Sequence, residues 1–73
     1  MSDKYRLMYK GYDLRGDPIR TASGRFESQL VIGYEVAGTT QEMLIPPLGE
    51  FQNEEEAGLN ALAVGKRWVD EIG

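Results

Sequence analysis

Over residues 53–72, apolar side chains return every three or four positions. Ala57, Ala61, Val64, Trp68 and Ile72 share one face, and Leu62 and Val69 widen it. Asn60, Lys66, Arg67, Asp70 and Glu71 fall mostly on the other side. This spacing predicts one amphipathic helix from Asn53 to Ile72. Its start is marked as well: Asn53 is a favoured N-cap, and Glu56 stands three residues on, as in a capping box. Glu54, Glu55 and Glu56 place carboxylates beside the positive end of the helix dipole.

Upstream the period changes to two. Phe26, Ser28, Leu30, Ile32, Tyr34 and Val36 take one parity; Glu27, Gln29, Val31, Gly33 and Glu35 take the other. Such alternation predicts a strand from Arg25 to Val36 with one packed and one wet face. Tyr9 to Arg20 reads as an irregular strand broken by Gly16-Asp17-Pro18, lying at an edge or running out near Pro18. Residues 1–8 read as a partly ordered lead-in, in which Tyr5, Leu7 and Met8 either add a short strand or lie across the sheet edge. Turns are expected at Thr21–Gly24 and Ala37–Thr40. A third strand over Glu42–Leu48, centred on Met43-Leu44-Ile45, ends at Pro46-Pro47 and so belongs at an edge. Phe51 is placed to fold onto the first helical turn, and Trp68 to close the helix over Phe26 or Tyr34.

The expectation is a single α+β domain over residues 1–73: a three-stranded antiparallel β-meander with one C-terminal α-helix packed on one face. A core this small supplies about 3–5 kcal/mol unless it is stapled. The chain has no cysteine, which excludes disulfides, and no histidine either, which removes the usual structural zinc ligands. That leaves tight packing around Trp68 and the tyrosines, or a dimer. No run approaches the roughly 18 apolar residues of a membrane span. The opening MSDKYRLMYKG lacks the apolar segment of a signal peptide. A cytoplasmic location without membrane attachment is the expectation.

The net charge of −4 is unevenly spread. Residues 1–25 hold six cations against three anions, and residues 26–73 hold two against nine, giving +3 and −7. A basic front and an acidic back can meet an anionic partner through one end, while the overall field repels a polyanion.

Without histidine or cysteine, the commonest general base and the thiol nucleophile are both missing, so no enzymatic activity is expected. Glu54–Glu56 are accounted for by capping. Asp13 and Asp17 lack the calcium-loop spacing, and Gly16-Asp17-Pro18 lacks the glycines and Gly-Lys-Ser/Thr ending of a phosphate loop. No cofactor and no metal are expected. The candidate binding residues are Lys10, Tyr12, Arg15, Arg20 and Arg25, with Tyr9 interleaved. They read either as surface charge balancing the acidic half, or as a contact for a phosphate backbone or for the acidic helix of a partner or second copy.

Several short motifs recur together in a known fold group. Gly24-Arg25-Phe26 with Leu30 and Ile32, then Leu48-Gly49-Glu50-Phe51 and Glu55-Glu56-Ala57, resemble the three-strand-plus-helix domain of the AP2 and integrase N-terminal DNA-binding group. Arg67-Trp68-Val69-Asp70 is closer to a set of small uncharacterised bacterial proteins whose helix ends in R-W-[IV]-[DE]. The resemblance spans residues 12–72 and implies the fold. Its DNA-binding members present basic and aromatic side chains on the open sheet face, where Glu27, Gln29, Val31 and Glu35 are expected here. The functional expectation is a small non-enzymatic interaction or regulatory module acting through a protein partner or as a homodimer. The alternative is a nucleic-acid-binding module using the basic residues and the open sheet face.

Overall fold

The computed structural model describes residues 4–72. The part of the lead-in reading that concerns residues 1–3 lies outside the described residues. The fold is α+β, with one C-terminal helix, α1 (Glu54–Ile72), against antiparallel sheets. The three-strand meander is corrected: among the described residues there are seven strands in two sheets. β1 (Arg6–Tyr9), β2 (Tyr12–Gly16), β5 (Leu30–Val36) and β6 (Thr39–Ile45) form a four-stranded sheet in the order β1-β2-β5-β6. β3 (Ile19–Arg20), β4 (Phe26–Glu27) and β7 (Glu50–Phe51) form a small second sheet in the order β3-β4-β7.

The expected order of segments persists within this division, and two of the expected strands are interrupted where the sequence carries a breaker. Asp17-Pro18 separates β2 from β3, and the stretch from Pro46 to Gly49 separates β6 from β7. Between β4 and β5 the break falls at Ser28-Gln29, yet the parity continues: Phe26 is half-buried, and Ser28, Leu30 and Ile32 are fully buried. The Ser28 backbone turns to the proline-rich segment, accepting from Leu48 N (2.9 Å) and donating to Gly49 O (2.8 Å). Gln29 Nε2 donates to Ile45 O (3.0 Å), and Gln29 O accepts from Asp17 N (2.9 Å).

The open choice for the lead-in resolves as a strand. β1 pairs with β2, so β2 is an inner strand rather than an edge. Two-residue turns close both hairpins of this sheet. Lys10-Gly11 has φ of 50° and 86°, and Ala37-Gly38 has 53° and 80°, the left-handed pair of a type I′ turn. The second turn is therefore shorter than expected, and Thr39 and Thr40 belong to β6.

The helix starts as its cap prescribes, with Glu56 N donating to Asn53 Oδ1 at 2.8 Å. Its buried line differs from the apolar stripe. Ala57, Gly58, Ala61, Gly65 and Val69 face the sheet, whereas Ile72 is 58% exposed. Small residues bring the helix axis close to β2 and β5. A Cβ on Gly65 would lie 3.1 Å from a Leu14 methyl, and one on Gly16 would lie 2.8 Å from Gly58 O. Leu14, Leu30, Ile32, Ala61 and Val69 form the core, and Leu7, Tyr9, Ile45 and Leu48 pack on it from the sides. Trp68 is half-buried and meets Tyr12, rather than Phe26, edge-on at 6.0 Å and 85°; Tyr12 in turn contacts Tyr34.

Candidate functional site: the uncovered face of the four-stranded sheet

The helix covers one face of the large sheet. The other is open, and the strand registers set its side chains in rows. Arg6, Arg15, Val31 and Leu44 make one row; Met8, Asp13, Gly33 and Glu42 make the next. Glu35 and Thr40 follow towards the Ala37-Gly38 turn.

Arg6 and Arg15 are direct cross-strand neighbours, a like-charge pair that is unfavourable by itself. Each is answered by a carboxylate. Arg6 grips Asp13 with Nε (3.0 Å) and Nη2 (2.8 Å), the two-pronged geometry that suits a guanidinium. Arg15 reaches across β5 to pair with Glu42 on β6. Its Nε is buried and has no acceptor among the described residues. Gly33 lies between Asp13 and Glu42, and its missing side chain leaves a shallow concavity of about 470 Å³ bordered by Met8, Asp13, Glu35, Thr40 and Glu42. Beside these compensated charges stand exposed apolar groups: Leu44 is 70% and Met8 66% exposed.

The five sequence-chosen residues are not brought together. Lys10 sits in the β1–β2 turn, where its Nζ donates to Asp70 Oδ1 (2.7 Å) near the end of α1, beside the Tyr9 hydroxyl, which donates to the same carboxylate at 2.9 Å. Those two donors hold the Asp70 carboxyl below its ordinary range, and Asp70 in turn raises the pKa of Lys10 and of Tyr9. Tyr12 is on the helix side, among Tyr34 and Trp68. Arg15 is on the open face. Arg20 and Arg25 flank the far hairpin, with Arg25 Nε 3.6 Å from a Glu50 carboxylate oxygen. The molecule measures 42 × 24 × 19 Å, and Lys10 and Arg20 lie towards opposite ends of the long sheet path.

Of the residues expected opposite the helix, Val31 and Glu35 are on the open face, while Glu27 belongs to the second sheet and Gln29 to the break. Sequence reasoning missed Arg6, Met8, Asp13, Glu42 and Leu44. The signal for Arg6 and Met8 was Lys10-Gly11, an X-Gly pair between alternating stretches, which would have placed β1 beside β2.

Among the described residues, no three acidic side chains are placed to hold a metal ion, and no helix is long and apolar enough to cross a membrane. Comparison with protein-family models, with curated proteins and with solved structures finds no match for this chain.

Proposed function

We propose that the chain is a small non-enzymatic interaction module whose contact surface is the open face of the four-stranded sheet together with its β6 side. One observation carries this reading. The open face combines exposed Met8 and Leu44 with arginines already bound to carboxylates on the same face. Apolar groups set among neutralised charges suit a protein surface, where a contact gains from burial and loses when unpaired charge is desolvated.

The same inventory weakens the nucleic-acid reading suggested by the AP2-like resemblance. Phosphate binding needs several cations free to act together. Arg6, Lys10, Arg15 and Arg25 each face an acid within the molecule. Among the described residues, Arg20, Lys66 and Arg67 have no carboxylate within ion-pair distance, and they sit on different elements.

The test is photo-crosslinking in the native cell from a reactive side chain placed at Met8 or Leu44, with Arg67 on the outer helix face as control. Protein adducts from the sheet positions and none from Arg67 are expected. Adducts to nucleic acid alone, or protein adducts from Arg67 alone, would overturn the reading.

A further inference from the structure

The two free edges of the large sheet differ. β1 is four residues long, with Arg6 at its start and Lys10 just beyond its end, the cationic flanks that discourage a strand from docking. β6 is seven residues, Thr39-Thr40-Gln41-Glu42-Met43-Leu44-Ile45, without proline, lysine or bulge. Its one ionised side chain, Glu42, is tied to Arg15. The helix packs chiefly on β2 and makes no comparable contact with β6, and β6 is the outermost strand of the sheet, its far edge unpaired among the described residues.

The type I′ turn fixes which backbone groups point outward. Val36 and Thr39 close the turn as a hydrogen-bonded pair, and the alternation of an antiparallel ladder then turns Gln41, Met43 and Ile45 towards β5 as well. The N–H and C=O groups of Thr40, Glu42 and Leu44 therefore face away from the sheet, and their side chains lie on the open face.

We infer that β6 pairs antiparallel with β6 of a second copy, about a twofold axis at Glu42, joining two four-stranded sheets into one. This deepens the proposed function and rests on it, by naming a second copy as the partner. The register follows from the outward groups. Placing Glu42 opposite Glu42 sets Thr40 opposite Leu44 of the second copy, and all three residues of both edges exchange their hydrogen bonds. Shifting by two residues towards the C-terminus brings Pro46, which has no N–H, opposite Thr40; shifting the other way leaves Leu44 opposite the turn at Gly38. Charge fits the same register. Each Glu42 arrives with its own Arg15, so the axis carries two carboxylates between two guanidiniums rather than a bare like-charge pair. An isologous contact of this kind closes on itself as a dimer and removes both exposed edges. It also adds burial for Leu44, the most exposed large apolar side chain among the described residues, in a domain with no disulfide to supplement its core.

The experiment is sedimentation equilibrium on the intact chain with two paired variants. Both substituted positions are exposed on the edge strand, and unchanged far-ultraviolet circular dichroism checks that each variant folds. The parent chain should sediment at twice its 8.2 kDa mass in a concentration-dependent equilibrium. Thr40→Lys with Leu44→Lys sets like charges opposite one another and should weaken association by at least about tenfold, 1.4 kcal/mol or more. Thr40→Lys with Leu44→Glu sets opposite charges in the inferred register and should restore dimerisation, with a salt dependence the parent lacks. Failure of this rescue, with both variants equally monomeric or equally dimeric, would overturn the register and the pairing. A parent that stays monomeric to about 1 mM would overturn the pairing outright. If Met8 then still crosslinks to a different protein, the interaction-module reading stands without it; if no protein adduct forms, both fall.

Discussion

The Ser28 hydroxyl donates a 2.8 Å hydrogen bond to the carbonyl of Ala57, joining the break between β4 and β5 to the first turn of the helix. Asn60 Nδ2 donates back to the same hydroxyl at 3.2 Å. Ser28 is fully buried, and its N–H and C=O are bound to the segment that leads into β7, so one residue ties three parts of the chain together. Removing its oxygen leaves Asn60 without an acceptor. Ser28→Ala should therefore lose about 1–3 kcal/mol of stability, the range for a buried polar partner left unpaired. A urea denaturation midpoint equal to that of the parent would show that water or a rearranged Asn60 replaces the contact.

Gly58 gives a prediction opposed to helix propensity. Glycine to alanine inside a helix ordinarily gains about 1 kcal/mol. Here a Cβ would lie 2.5 Å from the Tyr5 ring, which rests directly on the helix backbone. Gly58→Ala should destabilise the parent chain, and the same change should stabilise a chain that already carries Tyr5→Ala. A double-mutant cycle by chemical denaturation reads the change of sign. Additive effects would mean that Tyr5 does not occupy that position in solution.

The Asn53 cap is a milder case. Its side-chain oxygen accepts the Glu56 N–H, and Asn53→Ala should cost about 1 kcal/mol, with loss of helical signal confined to the first turn. Amide exchange at Glu56 that stays as slow as in the parent would argue that another acceptor takes over.

Asp70 carries the pH dependence. Hydrogen bonds from Lys10 and then Tyr9 lower its pKa from the ordinary 3.8, so the folded state favours the carboxylate. The stability it supplies is present above pH 3.8 and is lost as pH falls below that value through the folded pKa. Lys10 has the opposite sign: its pKa is raised above 10.5, so its share is complete below pH 10.5 and lost as pH climbs beyond it. Asp70→Asn should flatten the lowest end of the acid limb of a midpoint-versus-pH curve by lowering the neutral-pH midpoint slightly, parent and variant converging in acid; the effect is small because both groups are exposed. An identical acid limb in the variant would detach Asp70 from stability.

For nucleic acid, the expected result is weak, salt-sensitive and sequence-independent binding to duplex DNA. Fluorescence anisotropy with labelled duplex and single strands, at low and physiological salt, measures it. Submicromolar affinity that survives physiological salt, and that Arg20→Glu with Arg25→Glu abolishes, would return the AP2-like reading to first place.

The class of fold, the helix and its cap, the parity of residues 26–36, and the edge position of the strand before Pro46-Pro47 were all legible along the chain. Each is a local matter: a repeat of side-chain polarity, a capping side chain, a missing N–H. Hydrophobic periodicity placed Ile72 on the buried stripe, but the structure turns the helix so that Gly58 and Gly65 lie against the sheet and Ile72 faces solvent. Glycine adds nothing to a hydrophobic pattern, and its value here is closeness to Tyr5, Leu14 and Leu30, which exists only once β1, β2 and β5 have arrived. The charges follow the same rule. Lys10, Arg15 and Arg25 looked available because their acids lie 60, 27 and 25 residues away along the chain, and only the packed sheet and helix brought Asp70, Glu42 and Glu50 beside them. Which cations are already paired emerges only on packing, because an ion pair depends on distance through space and not along the sequence.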